Sequence, residues 1–252
     1  MRGYGLIGKR LGHSFSQRYF TQKFAAENRP DCRYSLYELS DISEFEELVR
    51  SHPDLLGLNI TIPYKQTIIP LLDEVDVEAA RVGAVNTVRI FRDGNAAHTV
   101  GFNTDVEGFR LSLAGHQVPA CALVLGTGGA AAAVMHVLRD WDIDCRQASR
   151  TNHNGALCYS ELTPAIVSAT ELIVNCTPLG MFPNVEAKPD IPYEAITNRH
   201  FLYDLVYNPE ETPFLREGKM RGAQIQNGLR MLTLQADASW KIWNEARRTV
   251  CP

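Results

Sequence analysis

Two short stretches carry residue types suited to dinucleotide chemistry. In Cys121-Ala-Leu-Val-Leu-Gly-Thr-Gly-Gly-Ala-Ala-Ala-Ala-Val134, the residues Gly126, Gly128 and Ala131 match G-x-G-x-x-G/A. Five apolar residues precede the turn and an alanine-rich segment follows it, the strand-then-helix setting that this fingerprint requires. Gly126 permits the tight turn, Gly128 lets backbone N–H groups approach a pyrophosphate, and Ala131 allows close helix–strand packing. The helix N-terminus then offers unpaired donors and a positive dipole end to the anion. Roughly 20 residues on, where an NAD-preferring site carries Asp or Glu for the ribose 2′-hydroxyl, the chain has Ser149-Arg150-Thr151. An arginine with hydroxyls suits a 2′-phosphate, so NADP(H) is expected over NAD(H).

Groups able to move a proton or grip a polar substrate lie upstream. In Leu58-Asn-Ile-Thr-Ile-Pro-Tyr-Lys65, period-two alternation puts Asn59 and Thr61 on one face, Ile60 and Ile62 on the other. Pro63 ends that strand and is expected to open a helix running to about Leu72. Asn59, Thr61 and Lys65 would then meet at one strand end. A cation in a helix's first turn is disfavoured by the dipole, which favours a neutral Lys65 amine slightly. A solvated lysine is the plainer alternative. Asn103-Thr104-Asp105 begins another helix, which Thr104 or Asp105 can cap, although a carboxylate at a domain junction also faces a cleft. Ser14 and Ser16 stand just before a helix from about Gln17 to Asn28. Capping needs only one of them, which leaves a hydroxyl for a polar ligand or carboxylate.

The elements that position these groups alternate between strand and helix. Strands are expected at Tyr4 to Ile7, Tyr34 to Leu39, Val82 to Phe91 and His98 to Phe102, the last two forming a hairpin turned by Asp93-Gly94. Helices are expected at Ile42 to Val49 and, late in the chain, after Thr212-Pro213 and Asn227-Gly228. Leu172-Ile-Val-Asn-Cys-Thr-Pro-Leu-Gly180 and Phe201-Leu-Tyr-Asp-Leu-Val-Tyr207 are apolar strands with polar ends, as in a doubly wound sheet. In the last helix Leu232, Ala236, Trp240 and Trp243 share a face and read as core.

At 252 residues the chain allows one large or two modest domains. A net charge of −4 supplies no basic footprint, so nucleic acid is not an expected partner. No apolar run reaches spanning length, and the glycine-broken N-terminus is too brief for a signal peptide, so no membrane partner is expected. Six cysteines without C-x-x-C point to a reducing, cytoplasmic setting. Seven histidines without a ligand cluster point to no metal.

The ordered motifs resemble the shikimate dehydrogenase family across nearly the whole chain. They are His13-Ser14-x-Ser16, Asn59-Ile-Thr-Ile-Pro-Tyr-Lys65, Gly83-Ala-Val-Asn-Thr87, Asn103-Thr-Asp105 and Gly126-x-Gly-Gly-Ala130. They continue with Ser149-Arg-Thr151, Asn175-x-Thr-Pro-Leu-Gly-Met181, Asp204-Leu-Val-Tyr207 and Asn227-Gly-Leu-x-Met-Leu-x-x-Gln235. Each is weak alone, but the ordered set is highly specific.

That resemblance implies an α/β fold with an N-terminal substrate domain and a Rossmann-like doubly wound nucleotide domain. The substrate domain would span 1–104 together with a returning C-terminal helix, 229–252, and the nucleotide domain 105–228. The activity implied is NADPH-dependent, reversible reduction of 3-dehydroshikimate to shikimate in aromatic amino-acid (chorismate) biosynthesis, by a monomer or homodimer. Lys65 and Asp105 look like the catalytic pair. Ser14, Ser16, Asn59, Thr61, Asn86, Tyr207 and Gln235 look like ligands for the substrate's carboxylate and ring hydroxyls. Gly126, Thr127, Gly128, Gly129 and Ala130, with Ser149, Arg150 and Thr151, look like the NADP segments. Thr177, Leu205 and Gly228 would lie nearer the nicotinamide.

The chain departs from the family pattern in three places. Ser149 stands where the family usually has Asn, and Asn152-His-Asn154 where a second basic residue often follows, which bears on how strictly NADP is preferred. Gln17 replaces the usual proline of the serine motif. No dehydratase sequence is joined to these motifs, so one activity is expected. A quinate-preferring relative with relaxed NAD/NADP preference and a non-catalytic NADP sensor are the alternatives; intact Lys65 and Asp105 argue against the second. Tyr19-Phe-Thr-Gln-Lys23 has the Tyr-x-x-x-Lys spacing of short-chain dehydrogenases but precedes the glycine turn, so it reads as chance. If Arg150 reads the 2′-phosphate, Arg150→Ala should weaken NADPH binding while barely changing NADH binding. Equal losses for both in a fluorescence titration would show that it does not.

Overall fold

β-Branched and aromatic runs separated by Gly, Pro and Asp turns set the strands of two sheets, each in its own part of the chain. The computed structural model describes residues 1–12, 15–94, 96–151 and 155–245. Ser14 and the Asn152-His-Asn154 segment therefore lie outside the described residues, as does 246–252, the remainder of the expected final helix. The chain divides into two units, 1–104 with 236–252, and 105–235.

In the first unit, strands β1 (Arg2–Gly8), β2 (Cys32–Glu38), β3 (Leu55–Ile60), β4 (Glu74–Val75), β5 (Thr87–Asp93) and β6 (Ala96–Phe102) form one sheet, ordered β2-β1-β3-β5-β6-β4. β1 runs parallel to β2 and β3, whereas β5 is antiparallel to β3 and β6. Helices α1 (Phe15–Ala26), α2 (Phe45–Ser51) and α3 (Val77–Val82) accompany them. One apolar cluster gathers Ile7, Phe45, Leu58, Ile60 and Val88. Another gathers Tyr4, Phe20, Phe24 and Tyr34 with Ala236, Trp240 and Trp243 from the end of the last helix.

The second unit begins with α4, whose bounds are Thr104–Ser112. Its sheet is built from β7 (Cys121–Leu125), β8 (Asp144–Ser149), β9 (Leu157–Cys158), β10 (Leu172–Asn175), β11 (Phe201–Asp204) and β12 (Gln224–Gln226). The order is β12-β11-β10-β7-β8-β9 and every pair is parallel. This is the doubly wound order of a dinucleotide-binding fold, reversing between β7 and β10. Helices α5 (Gly129–Asp140), α6 (Pro164–Ser168) and α7 (Pro213–Met220) connect the strands, and α8 (Leu229–Asn244) follows β12. The division between units falls within α8, between Gln235 and Ala236.

Three local expectations are corrected. No α-helix follows Pro63: the chain runs through turns from Thr61 to Ile68 and a short 3-10 turn at Ile69–Leu71. Pro70 has no N–H to continue an i→i+4 ladder, and Thr67, Ile68 and Ile69 are a β-branched run. The dipole assigned to Lys65 therefore has no helix to supply it. Val82 to Asn86 is not strand. Val82 ends α3, which starts where Asp76 accepts from Glu78 N at 2.9 Å, and β5 begins only at Thr87. Finally, α1 starts at Phe15 and not Gln17, so Ser16 lies within it; Phe15 stacks on Tyr19 one turn on, at 5.9 Å.

Tyr19 and Lys23, spaced like a catalytic pair, both donate to Asp237 Oδ1, at 2.6 and 2.7 Å, and so tie α1 to α8. Trp243 is buried deeper in the same unit, stacked on Tyr4 at 5.0 Å, with its indole N–H on the Val88 carbonyl at 3.0 Å. Removing a ring of that size from a filled core is expected to cost about 3–5 kcal/mol for Trp243→Ala in urea unfolding. Unfolding at the wild-type midpoint would show that the ring adds nothing to this core.

Candidate functional site

A buried polar chain runs from β2 past the carboxyl end of β3 to the start of β5. Tyr34 Oη accepts a hydrogen bond from Ser16 and donates to Asn59 Oδ1 at 2.8 Å. Asn59 Nδ2 donates to Ser239 Oγ at 2.9 Å and lies 3.2 Å from Thr87 Oγ1. Thr87, Ser239 and Thr104 join hydroxyl to hydroxyl at 2.8–3.1 Å. Asn86 Oδ1 accepts from the Thr104 backbone N–H at 2.7 Å. Asn59 Nδ2 also lies 3.4 Å from the Asn86 backbone carbonyl, which can only accept and so fixes which way the carboxamide points. Complete burial also raises the Tyr34 phenol well above its ordinary pKa, so it stays a donor.

Two further expected site residues of the first unit follow β3. Thr61 follows β3, and its N–H reaches the Ile7 carbonyl at 2.9 Å. Lys65 is half-buried in the turn beyond, its carbonyl accepting from Val85 N at 2.7 Å. Ser16, Asn59 and Asn86 are thus brought into one network, with Thr61 and Lys65 on the segment leaving it. Tyr34, Thr87 and Ser239 were not singled out from sequence. Their signal is the alternation of β2 and the serine on the apolar face of α8.

The second unit holds the remaining groups. Gly126 takes φ +110 at the end of β7, a conformation that a side chain opposes. Its N–H bonds to the Ala148 carbonyl at 2.7 Å, and its carbonyl accepts from Gln147 Nε2 at 2.8 Å, which joins the turn to the end of β8. Gly128 is the N-cap of α5 with no side-chain cap, and open space lies where its Cβ would be. Uncapped first-turn donors beside open space suit a pyrophosphate, so these residues fit the dinucleotide they were expected to hold. Thr127, Gly129 and Ala130 complete that turn.

At the end of β8, Ser149 is buried and its hydroxyl donates to the Thr151 carbonyl, closing the loop. Arg150 and Thr151 are exposed. Thr177 lies against the glycine turn, its Cγ2 3.2 Å from where a Gly126 Cβ would be. Gly228 is forced by packing: a Cβ there would stand 2.1 Å from the Leu205 carbonyl oxygen. Asp105 is buried in the first turn of α4. Gly108, one turn on, permits close approach to Gln235, whose Cβ would be 2.9 Å from an added methyl. Burial pushes the Cys176 thiol well up, and the Asp204 and Asp105 carboxylates add to it, which sets Asp105 near the turn beyond β10. Gln235 Nε2 donates to the Leu232 carbonyl at 2.8 Å, and Tyr207 is half-buried beyond β11.

The chain is similar to known proteins along most of its length. A family model described as the shikimate dehydrogenase substrate binding domain matches residues 6–88. A shikimate dehydrogenase (NADP(+)) of Caldicellulosiruptor bescii is 37% identical, over 96% of this chain and 89% of the relative. The solved structure of shikimate 5-dehydrogenase from Thermus thermophilus, in complex with NADP(H) and shikimate, has a TM-score of 0.85 at 29% identity, covering 97% of this chain and 94% of that one. Quinate dehydrogenase from Corynebacterium glutamicum, in complex with NAD, has a TM-score of 0.83 at 26% identity, covering 96% and 93%.

One ionisable group stands out by its burial. Asp204, fully buried at the end of β11, accepts three hydrogen bonds, yet burial outweighs them and pushes its carboxyl up from 3.8 to about 7. The folded state therefore holds a proton that the unfolded chain has released, and stability falls as pH rises between those values. Asp204's favourable share is complete below about pH 4 and is lost as pH rises through about 7, a change of about 4 kcal/mol. Asp204→Asn should flatten that slope in urea unfolding followed across pH. An unchanged slope would place the titrating group elsewhere.

Proposed function

Because the chain belongs to the shikimate dehydrogenase family, we propose that it catalyses the reversible NADPH-dependent reduction of 3-dehydroshikimate to shikimate, in aromatic amino-acid biosynthesis. The observation that carries this reading is the uncapped glycine turn of Gly126–Gly128, which has Thr177 against it at the sheet's switch point. Bound NADPH supplies a hydride to the ketone carbon. The chain's own residues then have two tasks, holding the ring and managing the proton.

Ser14 and Ser16 take the substrate carboxylate with their hydroxyls, while Asn59, Thr61, Asn86, Tyr207 and Gln235 take the ring hydroxyls. The Lys65 ammonium delivers its proton to the oxygen as negative charge develops there, and Asp105 orients and supports that ammonium. In the reverse direction, neutral Lys65 accepts the hydroxyl proton. Arg150 and Thr151 face the 2′-phosphate, with Ser149 holding their loop closed. The reading places the enzyme in the cytoplasm as a monomer or homodimer. Free thiols at Cys32, Cys121, Cys145, Cys158 and Cys176 agree with a reducing compartment.

Quinate with NAD is the second reading. It is favoured by the fold shared with a quinate dehydrogenase and by Ser149 in place of Asn. The absence of a carboxylate from Ser149-Arg150-Thr151 weighs the other way. Steady-state kinetics with both substrates and both cofactors decides between them, and a kcat/KM that is highest for quinate with NAD would replace the first reading with the second.

Lys65 and Asp105 are expected to act as one unit. Lys65→Met should lose kcat by about 100-fold or more with NADPH binding intact, the range for loss of a general acid–base group. Asp105→Asn should also lose kcat, and the double variant should be no worse than the poorer single. Fully additive losses would mean two independent contacts. A near-normal kcat for Lys65→Met would remove it from the chemistry.

A further inference from the structure

We propose that Asp204 is a positioning residue that locks the turns beyond β10 and β11 into the shape that receives the nicotinamide half of the cofactor. This rests on the NADPH reading above. Asp204 and Asn175 are paired in register as the last residues of neighbouring parallel strands, and both are fully buried. Asp204 Oδ1 accepts from Asn175 Nδ2 and from the Val206 backbone N–H, each at 2.9 Å. Its Oδ2 accepts from Thr212 Oγ1 at 2.6 Å.

Asn175 passes the constraint on. With its amide nitrogen turned to Asp204, its Oδ1 faces Thr177 and accepts both the backbone N–H at 3.0 Å and the hydroxyl at 2.6 Å. Thr177 is the residue lying against Gly126. On the other side, the Val206 carbonyl accepts from Gly228 N at 3.2 Å, and Leu205 O packs on Gly228. One carboxyl group thus ties together four features: the turn beyond β10, the turn beyond β11, the N-cap of α7 and the entry to α8. None of its contacts is with a residue assigned to substrate.

The chemistry explains why a carboxyl is needed. Above about pH 7, where it is ionised, Asp204 offers acceptors on both oxygens, and three donors converge on them. An Asn at this position would present an N–H₂ to either Thr212 or Asn175. Facing that N–H₂, the Thr212 hydroxyl would lose the acceptor of its own O–H, and Asn175 would have to turn its amide over and abandon Thr177. A buried carboxyl is also costly, as its displacement to about 7 shows, so an apolar pair would serve mere packing better.

The test compares two probes on the full chain by fluorescence or calorimetric titration. NADPH occupies both halves of the site, and adenosine 2′,5′-bisphosphate occupies only the adenosine half. Asp204→Asn should weaken NADPH binding about tenfold and change bisphosphate binding by less than about twofold, with KM for NADPH rising in step. Thr212→Val should show the same split more weakly, and Thr212→Ser, which keeps the hydroxyl, should bind like wild type. This pair carries the test if Asp204→Asn does not fold. Equal weakening of both probes would make the carboxyl a general support of the unit, and no weakening of either would give it no part in binding; both results overturn the proposal. Failure of the wild type to turn over 3-dehydroshikimate while binding both probes would overturn the proposed function and leave the split to judge Asp204 separately.

Discussion

A polar group shut inside a fold must find its partners there, because water is no longer available and an unmade hydrogen bond costs about 1–3 kcal/mol. Both units meet this constraint at the carboxyl ends of parallel strands. In the first, Asn59 is held between the Tyr34 phenol on one side and the Thr87 and Ser239 hydroxyls on the other. In the second, Asp204 is held by Asn175, Val206 and Thr212. Apolar clusters position the strands, but these networks decide where the turns beyond them go. The residues proposed to act stand on those turns. Lys65 follows β3, Thr177 follows β10, and Tyr207 follows β11, each one short step from a fully partnered buried side chain.

The glycine turn works by the opposite device, since it leaves its donors open. Gly126 bends the chain and Gly128 contributes no side chain, so the first turn of α5 presents bare N–H groups. The neighbouring strand β8 supports the turn through the Ala148 carbonyl and the Gln147 amide. The end of β8 adds a division of labour. Ser149 turns its hydroxyl inward to Thr151, while Arg150 faces outward. Ser149 in place of the family's usual Asn therefore bears on loop closure, and discrimination of the 2′-phosphate is the role proposed for Arg150.

Much of this was legible in the chain itself because the relevant signals are local. Five apolar residues before Gly126 and alanines after it identify a strand, turn and helix without outside help, and the parallel sheet of the second unit followed from such repeats. The errors came where two local signals competed. Pro63 reads as a helix opener, but Pro70 and the β-branched run before it deny the ladder, leaving turns. Val82 and Val85 read as strand, although Asp76 and Gly83 bracket a helix that ends between them. The buried partners were least legible. Nothing near Ser239 in sequence announces Asn59, 180 positions away, as its hydrogen-bond partner. Asp204 stood within a motif, yet its burial and its bond from Asn175 come from neighbouring strands that only the sheet brings together.

The most direct measurement follows the transferred hydrogen. NADPH carrying deuterium at both C4 positions is incubated with the protein and 3-dehydroshikimate, and the product is examined by mass spectrometry and NMR. Hydride transfer to the ketone predicts shikimate with a single deuterium, on the carbinol carbon formed from it. Unlabelled shikimate, or no consumption of 3-dehydroshikimate by a protein that binds NADPH, would contradict that reaction.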